Sequence, residues 1–385
     1  MKNRRSSSLV MVSVSNVPID GRVIRSAVAL AGVFDSVRVI GFTRGERNPP
    51  EISNLQFNIF PLNEKSGSGL LASVARKITR FWILMKMAWR TLASEGNLYY
   101  SHEAHLLPIA WLAAKLRGGK IVYDIHEIYG EMGTGVASHL LRIIEAPLMH
   151  LCDILITTNI DRANKIAQKN RIDPSMINVI RNIPIVNPCH QSVMDVFRKQ
   201  NSIKCLYHGR LSLSDRALDV LVRVIGSMSE LELAIIGIDS LGQRAILERI
   251  AREAPYENVF FLEPLQPDEL VSFSTGADVG ILPYRNTGAN TALASPNKLW
   301  EYMASGLFVL STPFPEAQRI FNECPCGTVA DISDAKQLRY QLRRIMDMSD
   351  LETKKQAGKN YFEENISWTI EAKHLQNIIC SLLSA

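Results

Sequence analysis

The chain has 385 residues, 46% apolar and 21% charged, with 22 Gly and 17 Pro. Those proportions exclude a disordered, collagen-like or disulfide-scaffold protein and suit two to three globular domains. The net charge of +5 is uneven: residues 1–190 hold 23 − 14 = +9, leaving 20 − 24 = −4 for residues 191–385, so the first half suits an anionic partner. Met1-Lys2-Asn3-Arg4-Arg5-Ser6-Ser7-Ser8 is basic like a signal peptide, but the apolar run after it is only strand length. No stretch approaches the roughly 20 apolar residues that span a bilayer. Six scattered cysteines without a C-x-x-C pair indicate reduced thiols, no zinc site and a cytoplasmic protein.

Short β-branched runs alternate with periodic helix-length segments. Strands are expected at Leu9–Val14, Val37–Phe42, Leu55–Phe60, Leu98–Ser101, Lys120–Tyr123 and Asp153–Thr157, with helices at Arg22–Ala31, His105–Leu116 and Ser138–Leu151. Continuous apolar strands between helices predict parallel strands covered on both faces. Pro184 and Pro188 break the rhythm, and a second cycle begins at Lys204–Tyr207. It continues with helix Arg216–Gly226, strand Leu231–Ile236, helix Gln243–Ala254 and strand Val259–Leu262. Helix Asp268–Thr275, strand Val279–Pro283, helix Lys298–Ala304 and strand Phe308–Ser311 follow. The fold class is α/β: two doubly wound Rossmann-like domains facing a cleft.

Two segments carry chemistry. In Ser295-Pro296-Asn297-Lys298-Leu299-Trp300-Glu301-Tyr302-Met303-Ala304-Ser305-Gly306, Pro296 suits the first turn of a helix and Gly306 its end. The free N–H groups of such a turn suit a phosphate. Glu301, a little over one turn in, suits two ribose hydroxyls; a solvated Glu on a capped helix is the plainer alternative. In Tyr207-His208-Gly209-Arg210-Leu211-Ser212-Leu213-Ser214-Asp215-Arg216, the two arginines flank a strand-to-helix turn where guanidinium forks match a diphosphate. Solvated arginines are the alternative there.

Together these segments resemble the nucleotide-sugar half of the GT-B retaining glycosyltransferases of family 4. The resemblance extends to Asp20-Gly21-Arg22-Val23, to Tyr123-Asp124-Ile125-His126-Glu127, to Asn182-Ile183-Pro184 and to Trp368, so it runs from about residue 9 to 380. It implies that Arg210 and Arg216 bind the donor diphosphate, with Asn297 and Lys298 beside them and Glu301 on the ribose. Gly21 and Arg22 would lie on the phosphate side of the cleft, and His126 would touch the donor sugar near the reaction centre. Where the family often has a second Glu, contacting the transferred sugar, this chain has Leu293. Backbone N–H groups of Asn286–Thr291 offer an alternative contact. The implied domains are 1–184 (acceptor side), a linker at 185–202, 203–364 (nucleotide-sugar side), and a closing helix at 365–385 packing back toward the first domain.

The expected activity is transfer of a sugar from a nucleoside-diphosphate sugar to a hydroxyl of a lipid-linked or polysaccharide acceptor. Retention is implied by the resemblance. The sugar nucleotide is a substrate, no cofactor or nucleic acid is implied, and metal independence is expected because no Asp-x-Asp occurs. His102 and His105 flank Glu103 like a metal cluster, but a polar helix start explains them. A nucleotide-sugar 2-epimerase and a non-catalytic binding subunit are the rival readings. In residues 74–92, Arg76, Arg80, Lys86 and Arg90 share one helical face and Val74, Ile78, Phe81, Met85, Trp89 and Leu92 the other. Ile83 and Met87 fall among the cations, with Trp82 at the border. That mixture suits an anionic lipid surface, placing the protein peripherally on the inner face of the plasma membrane.

Overall fold

A computed structural model of the chain describes residues 7–45, 48–62, 70–128, 136–186, 196–239, 242–265 and 267–384. The chain divides into two compact units, Met1–Asn182 with Thr369–Ala385, and Ile183–Trp368.

Unit 1 runs β1 (Ser8–Asn16), α1 (Gly21–Ala31), β2 (Ser36–Thr43), β3 (Leu55–Pro61), α2 (Leu70–Ala93), β4 (Leu98–His102), α3 (Leu107–Arg117) and β5 (Lys120–Ile125). It continues with α4 (Val136–Met149), β6 (Ile154–Thr157), α5 (Ile160–Asn170) and β7 (Ile177–Val179). Its strands form one sheet in the order β3-β2-β1-β4-β5-β6-β7, and every pair is parallel. Met11, Val12, Val39, Ile40, Tyr99 and Val122 are fully buried, as strands covered on both faces require.

Unit 2 runs β8 (Ile203–Arg210), α6 (Leu218–Ile225), β9 (Leu231–Ile238), α7 (Arg244–Arg252), β10 (Val259–Leu262), α8 (Pro267–Ser274), β11 (Val279–Leu282), α9 (Ala289–Ala292) and α10 (Asn297–Ala304). It then runs β12 (Phe308–Ser311), α11 (Pro315–Glu323), β13 (Gly327–Val329), α12 (Ala335–Met346) and α13 (Leu351–Asn365). Its sheet is also all parallel, ordered β10-β9-β8-β11-β12-β13. Both units are Rossmann-like. In each, the strand order reverses once, at β1/β4 and at β8/β11, and the carboxyl ends of those strands are where such sheets bind ligands.

Two features differ from the sequence reading, the extent of the linker and the loop at Asn286–Thr291. Ile183 is fully buried in the core of unit 2, Val186, Val196 and Phe197 pack against it, and buried Glu232 accepts the Arg198 and Lys199 backbone N–H groups. These flanks of the Pro-rich stretch therefore belong to unit 2; residues 187–195 of that stretch lie outside the described residues. Within Asn286–Thr291, the chain forms the start of α9 rather than a loop throughout. The last helix, α14 (Trp368–Ser384), lies in unit 1 from Thr369 onward. There Glu371 accepts the Arg181 N–H at 2.9 Å and Gln376 donates to Ala29 O at 2.7 Å.

Helix α2 turns opposite to expectation. Ile83 (7% exposed) and Met87 (0%) are buried, while Val74, Ile78, Phe81, Trp82 (59%), Met85 and Trp89 (74%) face outward. Cationic side chains flank the buried seam because their long stems lie along apolar surface with the charge kept in water; Arg90, for instance, donates to Asn58 on β3 at 3.1 Å.

Candidate active site

At the carboxyl edge of unit 1, parallel register sets Ser13, His102 and Asp124 side by side on β1, β4 and β5. Asp20 caps α1 by accepting from the backbone N–H groups of Arg22 and Val23 at 3.1 and 3.2 Å, which leaves Gly21 exposed at the helix start. Arg22 is a correction to the sequence reading. Its guanidinium is buried, donating from Nε and Nη2 to the two Asp124 oxygens at 2.9 and 2.7 Å and from Nη1 to Ile180 O at 2.9 Å. It holds Asp124 in place and does not face outward toward a phosphate.

Asp124 is the hub of this edge. Tyr100 OH donates to its Oδ2 at 3.1 Å, and His102 Nδ1 and His126 Nε2 lie 3.3 and 3.4 Å from the same oxygen. Burial opposes its ionisation, but the Arg22 charge, the His126 charge and the contacts from His102 and His126 together outweigh it and hold the carboxyl well below its ordinary range. Burial also pushes His102 down, so its ring is neutral. His126 is 17% exposed and is held from beneath, with its Nε2 at 3.2 Å from His102 Nδ1 and its carbonyl accepting from Arg162. The packed Nε2 leaves Nδ1 as the other hydrogen-bonding position of the ring. His102, Asp124 and His126 form the one cluster with metal-ligand spacing among the described residues, their ligand atoms within 4.8 Å of one another. The Arg22 charge on both Asp124 oxygens opposes a cation there. Beside them, Glu103 has a left-handed backbone (φ 75°), and burial raises its carboxyl to about 7, with His126 opposing and Asp20 adding. His105 stands apart from this cluster, at the start of the α3 segment.

The carboxyl edge of unit 2 gathers most of the other expected residues. Gly209, the penultimate residue of β8, has φ 127°, a conformation that favours glycine. A Cβ there would lie 2.6 Å from Lys298 Nζ, so the missing side chain makes room for the lysine at the opening of α10. That helix is anchored by fully buried Trp300 and Tyr302, and Tyr302 fills the space left by Gly280 on β11. Pro296 occupies the N-cap, one residue earlier than the first turn. Asn297 and Lys298 therefore sit at the opening of the helix, and Glu301 lies one turn in. His208 Nε2 is 3.4 Å from Glu301 Oε2. Burial, with the Lys298 charge adding, pushes His208 well below its ordinary value, so a neutral ring faces the carboxylate.

Arg210 and Arg216 meet on Asp215. Arg210 Nη2 donates to Asp215 Oδ2 at 2.9 Å, and Arg216 Nη1 lies 3.4 Å from the same oxygen while stacking 3.6 Å from the Tyr284 ring centre. Partial burial opposes ionisation of Asp215, but hydrogen bonds from Ser212 and Ser214 and the two arginines keep it strongly acidic. Arg210 is 57% exposed, so an incoming anion can exchange with Asp215. Thr287 and Thr291 pair through their hydroxyls at 2.9 Å near Gly288, and Leu293 follows α9. The sequence reading did not single out His208, Asp215 or Tyr100, and it set His102 aside as part of a polar helix start, whereas His102 lies in β4 beside Asp124. His208 and Asp215 lie inside the quoted strand-to-turn segment, but their partners show only in three dimensions.

Residues 202–348 match the sequence model of the family described as Glycosyl transferases group 1. No curated protein matches the chain by sequence. Among solved structures, sucrose-phosphate synthase from Thermosynechococcus elongatus superposes with a TM-score of 0.74 at 14% identity, covering 98% of this chain and 99% of that one. HepE from Anabaena, in complex with UDP and glucose, gives 0.69 at 12% identity over 97% and 100%. WaaG, a glycosyltransferase involved in lipopolysaccharide biosynthesis, gives 0.61 at 16% over 96% and 99%. The fold is thus GT-B, with two Rossmann-like domains, and the family match supports a glycosyltransferase.

Proposed function

We propose that the chain is a retaining glycosyltransferase that moves a sugar from a nucleoside-diphosphate sugar to a hydroxyl of a lipid-linked or polysaccharide acceptor. The observation that carries the reading is the carboxyl edge of unit 2: two arginines on one exchangeable carboxylate, Lys298 over Gly209, and Glu301 faced by neutral His208. The arginines and Lys298 take the diphosphate, Asn297 lies with them at the helix opening, and Glu301 takes the ribose hydroxyls. HepE, of the same fold, has been captured with UDP-glucose, which supports a donor of this class.

In the reaction, the bond from the sugar's anomeric carbon to the diphosphate breaks. The acceptor oxygen bonds to that carbon on the same face, and its proton passes to the departing phosphate oxygen. The cations stabilise the leaving group without a metal. Gly21 lies toward the phosphates, and His126 accepts from or donates to a hydroxyl of the transferred sugar; this chain supplies no covalent nucleophile. The exposed face of α2, with Phe81, Trp82, Met85 and Trp89 and cations along its edges, docks to an anionic membrane. No helix among the described residues is long and apolar enough to cross one.

Donor hydrolysis or transfer tests the reading. His126→Ala should cut turnover more than nucleotide binding, and EDTA should leave activity intact. Undiminished turnover in His126→Ala, or loss with EDTA that Mn²⁺ restores, would overturn the corresponding assignment. Release of an epimerised sugar nucleotide without acceptor would replace the reading with an epimerase.

A further inference from the structure

Unit 1 holds a cavity of about 320 Å³ that the donor assignment does not use. It opens where β1, β2 and β3 end and α2 crosses them. Its walls are apolar, from Val14, Phe42, Leu62 and Ile83, and none of its lining residues is acidic. Half-exposed Leu84 and the exposed Arg44, Arg80 and His105 complete the lining. The Arg44 guanidinium lies 5.5 Å from the centre of the Phe42 ring, so one cation is seated directly on an apolar wall.

We propose that this cavity is the acceptor site and that it takes the phosphate head and first apolar carbons of a phosphate-bearing lipid. The inference rests on the glycosyltransferase reading and narrows its acceptor. Guanidinium forks match phosphate geometry. The walls require an apolar group beside that phosphate, which a polysaccharide chain does not have. Helix α2 connects the cavity to a lipid phase. Arg80, Ile83 and Leu84 line the cavity, while Phe81, Trp82 and Met85 on the same turns are exposed. A lipid lying along that outer face brings its head to the cavity while its tail stays among apolar groups.

Titration of the full chain with decyl phosphate below its micellar concentration tests this. Decyl maltoside supplies the tail without the anion, and inorganic phosphate the anion without the tail. Decyl phosphate should bind about tenfold or more tighter than either, and Arg44→Gln should remove about tenfold of that affinity. Leu84→Glu, at a half-exposed position of the wall, should abolish binding. Equal binding of decyl maltoside, equal binding of inorganic phosphate, or wild-type affinity in Arg44→Gln would overturn the inference. Nucleoside diphosphate binding, followed in the same variants, should not change. If nucleoside diphosphates fail to bind while decyl phosphate still binds through Arg44, the donor reading falls and the lipid site stands.

Discussion

The two units present the same kind of sheet edge and use it in opposite ways. At the edge of unit 1 the charges are buried and neutralise one another: Arg22 and Asp124 are 5% and 0% exposed and bonded at 2.7 Å. At the edge of unit 2 the arginines share a half-buried carboxylate, and Arg210 remains open to exchange. Charge buried with its partner positions a neighbour, here His126, while charge left at the surface is available to a ligand. The Asp-Gly-Arg-Val turn and the Gly-Arg turn look alike in sequence and differ in this respect.

The largest effect that would break the comparison is at Asp124. Asp124→Asn leaves the Arg22 guanidinium buried without its counter-charge and should cost about 3–5 kcal/mol of stability, read by denaturant unfolding. A loss under 1 kcal/mol would mean that the network is not structural. At the opposite edge, Arg210→Ala and Arg216→Ala should leave stability nearly unchanged while weakening nucleoside diphosphate binding by about 1.5–3 kcal/mol each. Unfolding caused by either variant, or unaltered affinity in both, would erase the contrast.

Unit 1 also hides a titrating acid. Glu145 accepts from Tyr123 OH at 2.6 Å, and burial raises its carboxyl to about 7, with the Tyr123 bond opposing. The folded protein therefore keeps this proton between about pH 4.5 and 7 while the unfolded chain loses it, so this group's contribution to stability falls as pH rises through that window. Glu145→Gln removes that slope. Its stability relative to wild type should rise by on the order of 2 kcal/mol from pH 4.5 to 8, and a difference independent of pH would refute the assignment. Smaller in each part is the membrane contact. Replacing Arg76, Arg80, Lys86 and Arg90 with Gln should release the protein from anionic vesicles, at about 1 kcal/mol per charge, with high salt acting in the same direction. Trp82→Ser and Trp89→Ser should remove the salt-resistant part. Wild-type protein that stays in the supernatant would deny the contact.

Most strands of both sheets were legible because buried parallel strands are continuous apolar runs, and Val259–Leu262 and Phe308–Ser311 coincide with expectation; the three-residue edge strands β7 and β13 were not, being too short to show a pattern. The opening of α10 was legible through Pro296 and Gly306. The inward face of α2 was not. Ile83 and Met87 sit among cations in the helical projection, and only the packing of a long helix on β1–β3 decides which seam is covered. Nor could sequence place Arg22, whose partner lies 102 residues away, or pair His208 with Glu301 across 93. Both pairs depend on register between strands and helices, which local patterning does not encode.

The central claim is that the edge of unit 2 is a nucleotide site in which Glu301 reads the ribose. Its most direct test is calorimetric titration with a nucleoside diphosphate and with its 2′,3′-dideoxy counterpart, after a screen of bases, on wild type, Glu301→Gln and His208→Phe. Wild type should prefer the ribonucleotide by about tenfold or more. Glu301→Gln should lose most of that preference, and His208→Phe part of it, while both keep the affinity supplied by Arg210, Arg216 and Lys298. Equal binding of the two nucleotides by wild type, or a preference untouched in Glu301→Gln, would contradict the account.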